Sequence, residues 1–196
     1  MKTPPDELAA KLIGASGRIL SLDGEVKLDE VATSIGVARA TLYYYFSGRD
    51  DLVGFLLAHH LRAGGEVLAA ALADGVDLDP ADRLRAVVES LAAFLAAHPG
   101  VCAGLLGAMG AGGRMAEVMA ANDRAIGAPL RELLVEGRAL GAFSFDDTAD
   151  AANALMGAMV IAVLARAAAA RPLDDPAFPR SLADQLTRSV AVSERS

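Results

Sequence analysis

The stretch Leu28-Asp29-Glu30-Val31-Ala32-Thr33-Ser34-Ile35-Gly36-Val37-Ala38-Arg39-Ala40-Thr41-Leu42-Tyr43-Tyr44-Tyr45-Phe46 restricts the fold more than any other part of the chain. Two short helices packed close to a right angle impose residue types at set offsets. Ala32 is small where a second helix must cross directly above it, and Gly36 can take the positive φ that the turn requires. Val37 and Leu42 are apolar and bury the inner side of the second helix, while Val31 anchors the first. The outer side then presents Arg39, Ala40, Thr41, Tyr43 and Tyr44, a mixture of cationic, hydroxyl and small groups that suits a DNA groove.

Breakers divide the rest of the chain into further helices. One runs from about Pro5 to Leu22, with Leu8, Leu12, Ile13, Ile19 and Leu20 as its apolar face, and Asp23-Gly24 turns the chain. Short helices at about 27–34 and 38–44 form the motif, and a long one follows Ser47-Gly48, from about 49 to 73. Asp79 is placed to cap a helix with Pro80 at its first position and Asp82 in its first turn, and His98-Pro99-Gly100 ends it. Further helices are expected around Cys102–Met109 and from Arg114 to about Leu140, with a weak point at Gly127-Ala128-Pro129. Two more follow, from Asp146-Asp147-Thr148 to about Ala170 and from Pro179 to about Val192. Nothing reads as a strand, so the fold class is all-α, with about nine helices.

Charge and composition narrow the partners. A net charge of −7 argues against a general polyanion binder. Residues 1–52 alone carry Lys2, Lys11, Arg18, Lys27, Arg39 and Arg49 against a larger set of Asp and Glu. Any DNA contact must therefore come from local geometry and not from a basic field. The lone Cys102 rules out an internal disulfide and fits a reducing compartment. The apolar run Ala154–Ala165 falls short of the ~18–20 residues a membrane span needs, so it reads as a helix buried in a core or an interface. The N-terminus lacks the layout of a signal peptide. A cytoplasmic protein without membrane contact is the expectation.

The stretch Ile35-Gly36-Val37-Ala38-Arg39-Ala40-Thr41-Leu42-Tyr43-Tyr44-Tyr45-Phe46-Ser47-Gly48-Arg49-Asp50-Asp51-Leu52 resembles the TetR family of bacterial regulators. Gly-Val, Thr-Leu-Tyr, the aromatic cluster and the closing acid-acid-Leu fall in that family's register. The resemblance covers about residues 8–55 and beyond them extends only to helix layout and length. It implies a helix-turn-helix domain over 1–52 and a ligand-binding and dimerisation domain over 53–196, linked by the helix at about 49–73. Carried over by position, it makes Arg39 the base reader and sets Ala40 near a thymine methyl. It assigns Thr41, Tyr44 and Tyr45 to phosphates or sugars, and Tyr43 to the backbone or a base edge. Arg49 and Lys27 become phosphate contacts. This chain departs from the pattern in three ways. The usual Thr cap is missing before Lys27, Asp29 stands at a DNA-facing place where a carboxylate repels phosphate, and Ala38 and Ser47 replace a frequent Ser and Lys.

The resemblance further implies a homodimer on double-stranded operator DNA, released by a small-molecule effector, with the last two long helices pairing across a two-fold axis. Gly157 and the surrounding alanines allow the close approach this needs. Phe94, His98, Cys102, Leu105, Met109, Met115, Met119, Asn122, Met156 and Met159 are candidates to line an effector pocket, since flexible thioethers suit an adaptable apolar site. No cofactor or metal is expected: three His and one Cys are too few and too scattered for a zinc site, and no nucleophile elbow or phosphate loop is present. Catalysis is not expected. The alternative is a helical small-molecule-binding or adaptor protein of the same fold whose acidic N-terminus has cost it DNA binding.

Overall fold

A computed structural model describes residues 2–21, 27–110 and 115–192, with only the backbone described at 108–110 and 115. The Asp23-Gly24 turn and the Gly-rich loop ahead of Arg114 lie outside the described residues. Among those described, eleven α-helices follow one another: α1 Asp6–Gly14, α2 Ser16–Ile19, α3 Leu28–Ser34, α4 Arg39–Tyr45, α5 Arg49–Asp74, α6 Pro80–Ala97, α7 Pro99–Gly110, α8 Met115–Asn122, α9 Ala128–Ala139, α10 Thr148–Ala168 and α11 Ala177–Val190. A π-helical segment, Asp123–Gly127, joins α8 to α9. The all-α class holds. Two of the expected helices are each broken, which raises the number above nine.

The first break falls at Ala15, whose N–H is shared between the Lys11 and Leu12 carbonyls at 3.2 Å each. It lets α2 turn onto α7, where a Cβ on Gly100 would stand 2.9 Å from the Gly17 carbonyl oxygen. The second break is the predicted weak point. Pro129 has no N–H to donate, and the wider π turn before it absorbs the register change. Asp123 spans the break, accepting from Arg131 Nη1 at 2.6 Å and Nη2 at 3.2 Å. Those hydrogen bonds hold the Asp123 carboxyl below the usual carboxylate range.

The contacts group the chain into two compact units, residues 1–60 with 99–119, and residues 61–98 with 120–196. Helix α5 contributes to both. In the first unit Leu12, Ile19, Val31, Ala32, Leu42, Phe46, Leu52, Leu56 and Leu57 are fully buried, and Phe46 meets Phe55 edge-on at 5.6 Å between centroids. The buried His60 ring bonds the Ser16 hydroxyl at 2.9 Å. In the second unit α6, α9, α10 and α11 share one core that includes Leu84, Val88, Leu91, Leu130, Leu134, Leu155 and Met159.

Caps set several boundaries. Asp79 Oδ1 accepts the Ala81 and Asp82 N–H groups at 2.9 and 3.0 Å, as its place before Pro80 predicted. Asp147 Oδ1 does the same for Ala149 and Asp150, at 2.7 and 2.9 Å. Helix α10 ends with Arg171 N–H on the Arg166 carbonyl and with Ala170 in the left-handed region, φ 50°. After α9 the chain folds Phe143 onto Gly137, where a Cβ would collide with the ring. It then forms a single antiparallel bridge, Phe143 to Ala191.

Helix α10 has 21 residues, longer than the uncharged run suggested, and is long and apolar enough to cross a membrane by length and composition. Only 28% of its apolar window is buried inside the chain, so it is not the enclosed core helix that its composition allowed. Ile161 is 54% exposed, and Gly157 lies exposed as well.

Candidate nucleic-acid interface

Helices α3 and α4 form the crossing that the sequence spacing requires. Ala32 is fully buried under α4, Gly36 takes φ +68°, and the Val37 N–H reaches back to the Ala32 carbonyl at 3.0 Å. Leu42 is fully buried on the inner side of α4, whereas Val37 is only half-buried. Helix α3 lacks a threonine cap but has a partial substitute: the Glu30 carboxylate accepts the Lys27 N–H at 3.3 Å. Only this half of a capping box forms, because a lysine ammonium has no acceptor.

The outer face of α4 is open. Tyr43 and Tyr44 are 56% and 60% exposed, Arg39 and Ala40 are exposed, and Thr41 and Tyr45 are half-buried. Tyr44 meets Tyr45 edge-on at 5.0 Å between ring centroids. Lys27 is exposed beside the start of α3, and Arg49 is half-buried at the start of α5, its Nε buried without a partner among the described residues. Asp51 closes the turn between α4 and α5 by accepting the Ser47 N–H at 2.8 Å.

Two features of this face were missed in the sequence. Lys2 places its ammonium 3.6 Å from the centre of the Tyr44 ring, a cation–π contact that brings a second positive charge to the α4 surface. Asp29, read as a lone carboxylate facing phosphate, is ion-paired instead: its Oδ2 takes Arg39 Nη1 at 2.9 Å. Spacing gives no sign of either contact, since Lys2 comes from before α1 and Asp29 from α3.

The effector candidates are distributed unevenly. Phe94 on α6 and His98 just after it are half-buried neighbours, with ring centroids 4.6 Å apart and His98 Nδ1 2.8 Å from the Phe94 carbonyl oxygen. Asn122 and Met156 meet, the amide nitrogen 3.7 Å from the thioether sulfur. Met159 is core, packed with Leu155. Those five belong to the second unit; Cys102, Leu105 and Met119 belong to the first. Cys102 is fully buried, which pushes its thiol up to about 12, Leu105 is half-buried, and Met119 is exposed. The side chains of Met109 and Met115 lie outside the described residues. Among the described residues no cluster of His, Cys, Asp or Glu is placed to hold a metal.

A short helix that buries Ala32 under an open, tyrosine-rich second helix defines a helix-turn-helix protein of the DNA-binding kind. Two family models sharpen this. Residues 24–54 match the model described as bacterial regulatory proteins, tetR family, and residues 77–163 match the tetracyclin repressor-like C-terminal domain, together more than half of the 196 residues. The chain belongs to the TetR family of transcription regulators, helix-turn-helix proteins that bind operator DNA. No curated protein sequence matches it significantly.

Solved structures share the fold at low identity. A bacterial regulatory protein in the tetR family from Rhodococcus RHA1 is 16% identical with a TM-score of 0.81, covering 97% of this chain and 100% of its own. A fatty acid degradation regulator from Bacillus halodurans is 19% identical with a TM-score of 0.72, covering 95% and 97%. A ketosteroid transcriptional regulator of Mycobacterium tuberculosis is 16% identical with a TM-score of 0.67, covering 97% and 98%.

Proposed function

We propose that this chain is a homodimeric repressor that reads its operator through α4 and leaves it when a small apolar molecule binds. The observation that carries the reading is the open face of α4, where Arg39, Tyr43 and Tyr44 stand exposed on a helix anchored by the fully buried Leu42. Residues 1–52 serve the DNA and residues 53–196 the effector and the dimer. Arg39 reads a base edge, Ala40 lies within reach of a thymine methyl, and Thr41, Tyr43, Tyr44 and Tyr45 contact the sugar-phosphate backbone. Lys27, Arg49 and the tyrosine-bound Lys2 add charge for phosphates.

Dimerisation uses the exposed faces of α10 and α11. The uncovered apolar surface of α10 is unusual for a lone protomer, and a shallow groove of about 510 Å³, lined by Ala162, Phe178 and Leu182 with Arg166, Arg171 and Gln185, runs between it and α11. Two-fold pairing sets two copies of α4 about one DNA turn apart. An effector that favours another spacing lowers operator affinity by its differential binding energy. Helix α5, continuous from Arg49 to Asp74, is the covalent path for that coupling.

Phe94, His98, Asn122 and Met156 are the polar and apolar handles for the effector. The regulators of fatty acid degradation and of ketosteroids that share this fold guide the choice of probes. The test is a mobility shift on DNA from the protein's own promoter region, repeated with fatty acids, acyl thioesters and steroid ketones that raise its melting temperature. Retardation that a stabilising probe reverses is expected. A protein that retards no promoter DNA, or one that stays bound with every stabilising probe, contradicts the proposal.

A further inference from the structure

We propose that Asp29 is a positioning residue for base recognition, holding the Arg39 guanidinium where it can meet a guanine. The inference rests on the reading of α4 as the DNA-reading helix. Arg39 Nη1 lies 2.9 Å from Asp29 Oδ2, an ion pair that holds the guanidinium beside α3. A guanidinium held at one nitrogen can still offer a pair of N–H groups to the O6 and N7 acceptors of guanine.

The two partners are unequally held. The Arg39 side chain is 67% exposed, and this pair anchors it among the described residues. Asp29 is half as exposed and sits in the first turn of α3, and its Oδ1 is buried with no donor among the described residues. Among the described residues Arg39 is the cation paired with this carboxylate, and the less exposed partner holds the more exposed one. An exposed arginine without such an anchor gives up considerable side-chain freedom when it docks on a base. With it, part of that ordering precedes DNA binding. The carboxylate also discriminates by repulsion, since it opposes a charged phosphate beside the guanidinium more than the neutral O6 and N7 of a guanine. Asp29 thus weakens binding to DNA in general while strengthening the preference for guanine under Arg39.

The test uses a duplex enriched from a random library by the wild-type dimer, together with copies in which each guanine in turn is 7-deazaguanine, which lacks the N7 acceptor. The guanine whose replacement weakens wild-type binding and leaves Arg39→Ala indifferent is the contacted one. At that base the wild type loses about tenfold. Asp29→Ala is expected to lose less than about threefold there, and Asp29→Asn, which keeps the shape and one acceptor, to fall between. Both variants bind random duplex more tightly than the wild type, because one negative charge has gone. If both keep the full tenfold penalty, or if either discriminates more sharply than the wild type, Asp29 does not position Arg39. If the wild type enriches no sequence, or Arg39→Ala keeps every penalty, the DNA-reading assignment of α4 fails first, and the inference falls with it. Thermal melts of each variant separate these outcomes from loss of fold.

Discussion

At the residue scale, single side chains decide where this fold tolerates nothing else. Gly137 faces the Phe143 ring so closely that a Cβ there would collide with it. Phe143 is buried, and its backbone forms the bridge to Ala191 that ties down the end of α11. Gly137→Ala should therefore destabilise the protein by about 1–3 kcal/mol, against the small gain a glycine-to-alanine change brings in an open helix. A urea melt with an unchanged slope and a lower midpoint is the expected result; a midpoint at or above wild type contradicts the contact. This collision was not legible in the sequence, because it depends on how the chain returns after α9. The buried face of the helix-turn-helix was legible, since Ala32, Gly36 and Leu42 answer to offsets within one short stretch. What Arg39 touches was not. Its partner lies on α3, and only the packing of α3 against α4 brings Asp29 within 2.9 Å.

At the element scale, helix boundaries were readable wherever a side chain enforces them. Asp79 and Asp147 stand before α6 and α10 and cap them by accepting two N–H groups each. Boundaries set by packing were hidden. The break at Ala15 follows from the approach of α2 to α7 at Gly17 and Gly100, and Gly14 and Ser16-Gly17 beside it are a breaker signal that the apolar face of the helix outweighed. Helix α7 starts at Pro99, earlier than the expected Cys102, because proline suits a first helical position as well as it ends the helix before it. The C-terminal end of α10 offers a test of cap chemistry. Ala170 holds φ 50°, a conformation that suits glycine and costs alanine about 1 kcal/mol. Ala170→Gly should raise stability by roughly 0.5–1 kcal/mol, less the entropy gained by the unfolded chain. Calorimetry showing a lower melting temperature would contradict the left-handed cap.

At the scale of the whole molecule, the uncovered surface of α10 is the clearest sign that one chain is not the complete structure. Gly157 supports a clean experiment. A Cβ built there meets nothing within 4 Å, so a larger side chain leaves the protomer itself undisturbed. Across a two-fold seam the same side chain overpacks twice, at roughly 1–3 kcal/mol for each copy. Sedimentation should show a wild-type dimer at micromolar concentration and a Gly157→Leu protein shifted towards monomer with an unchanged circular dichroism spectrum. A Gly157→Leu dimer as tight as wild type places the interface elsewhere. The helix itself was legible from its apolar run, but its exposure was not, because composition cannot say whether the cover comes from the same chain or a second one. The effector region was the least legible part. Thioethers and aromatics serve as core and as lining alike, and Met159 proves to be core while Asn122 and Met156 meet each other.

The central claim is that operator recognition runs through Arg39 on the open face of α4. It is tested most directly by fluorescence anisotropy on the enriched duplex and on a scrambled duplex of equal length, at one fixed salt concentration, for the wild type and Arg39→Ala. The wild type should prefer the enriched duplex, and Arg39→Ala should lose about 1–3 kcal/mol of that preference while its affinity for scrambled DNA changes little. An Arg39→Ala protein that keeps the full preference would contradict the account.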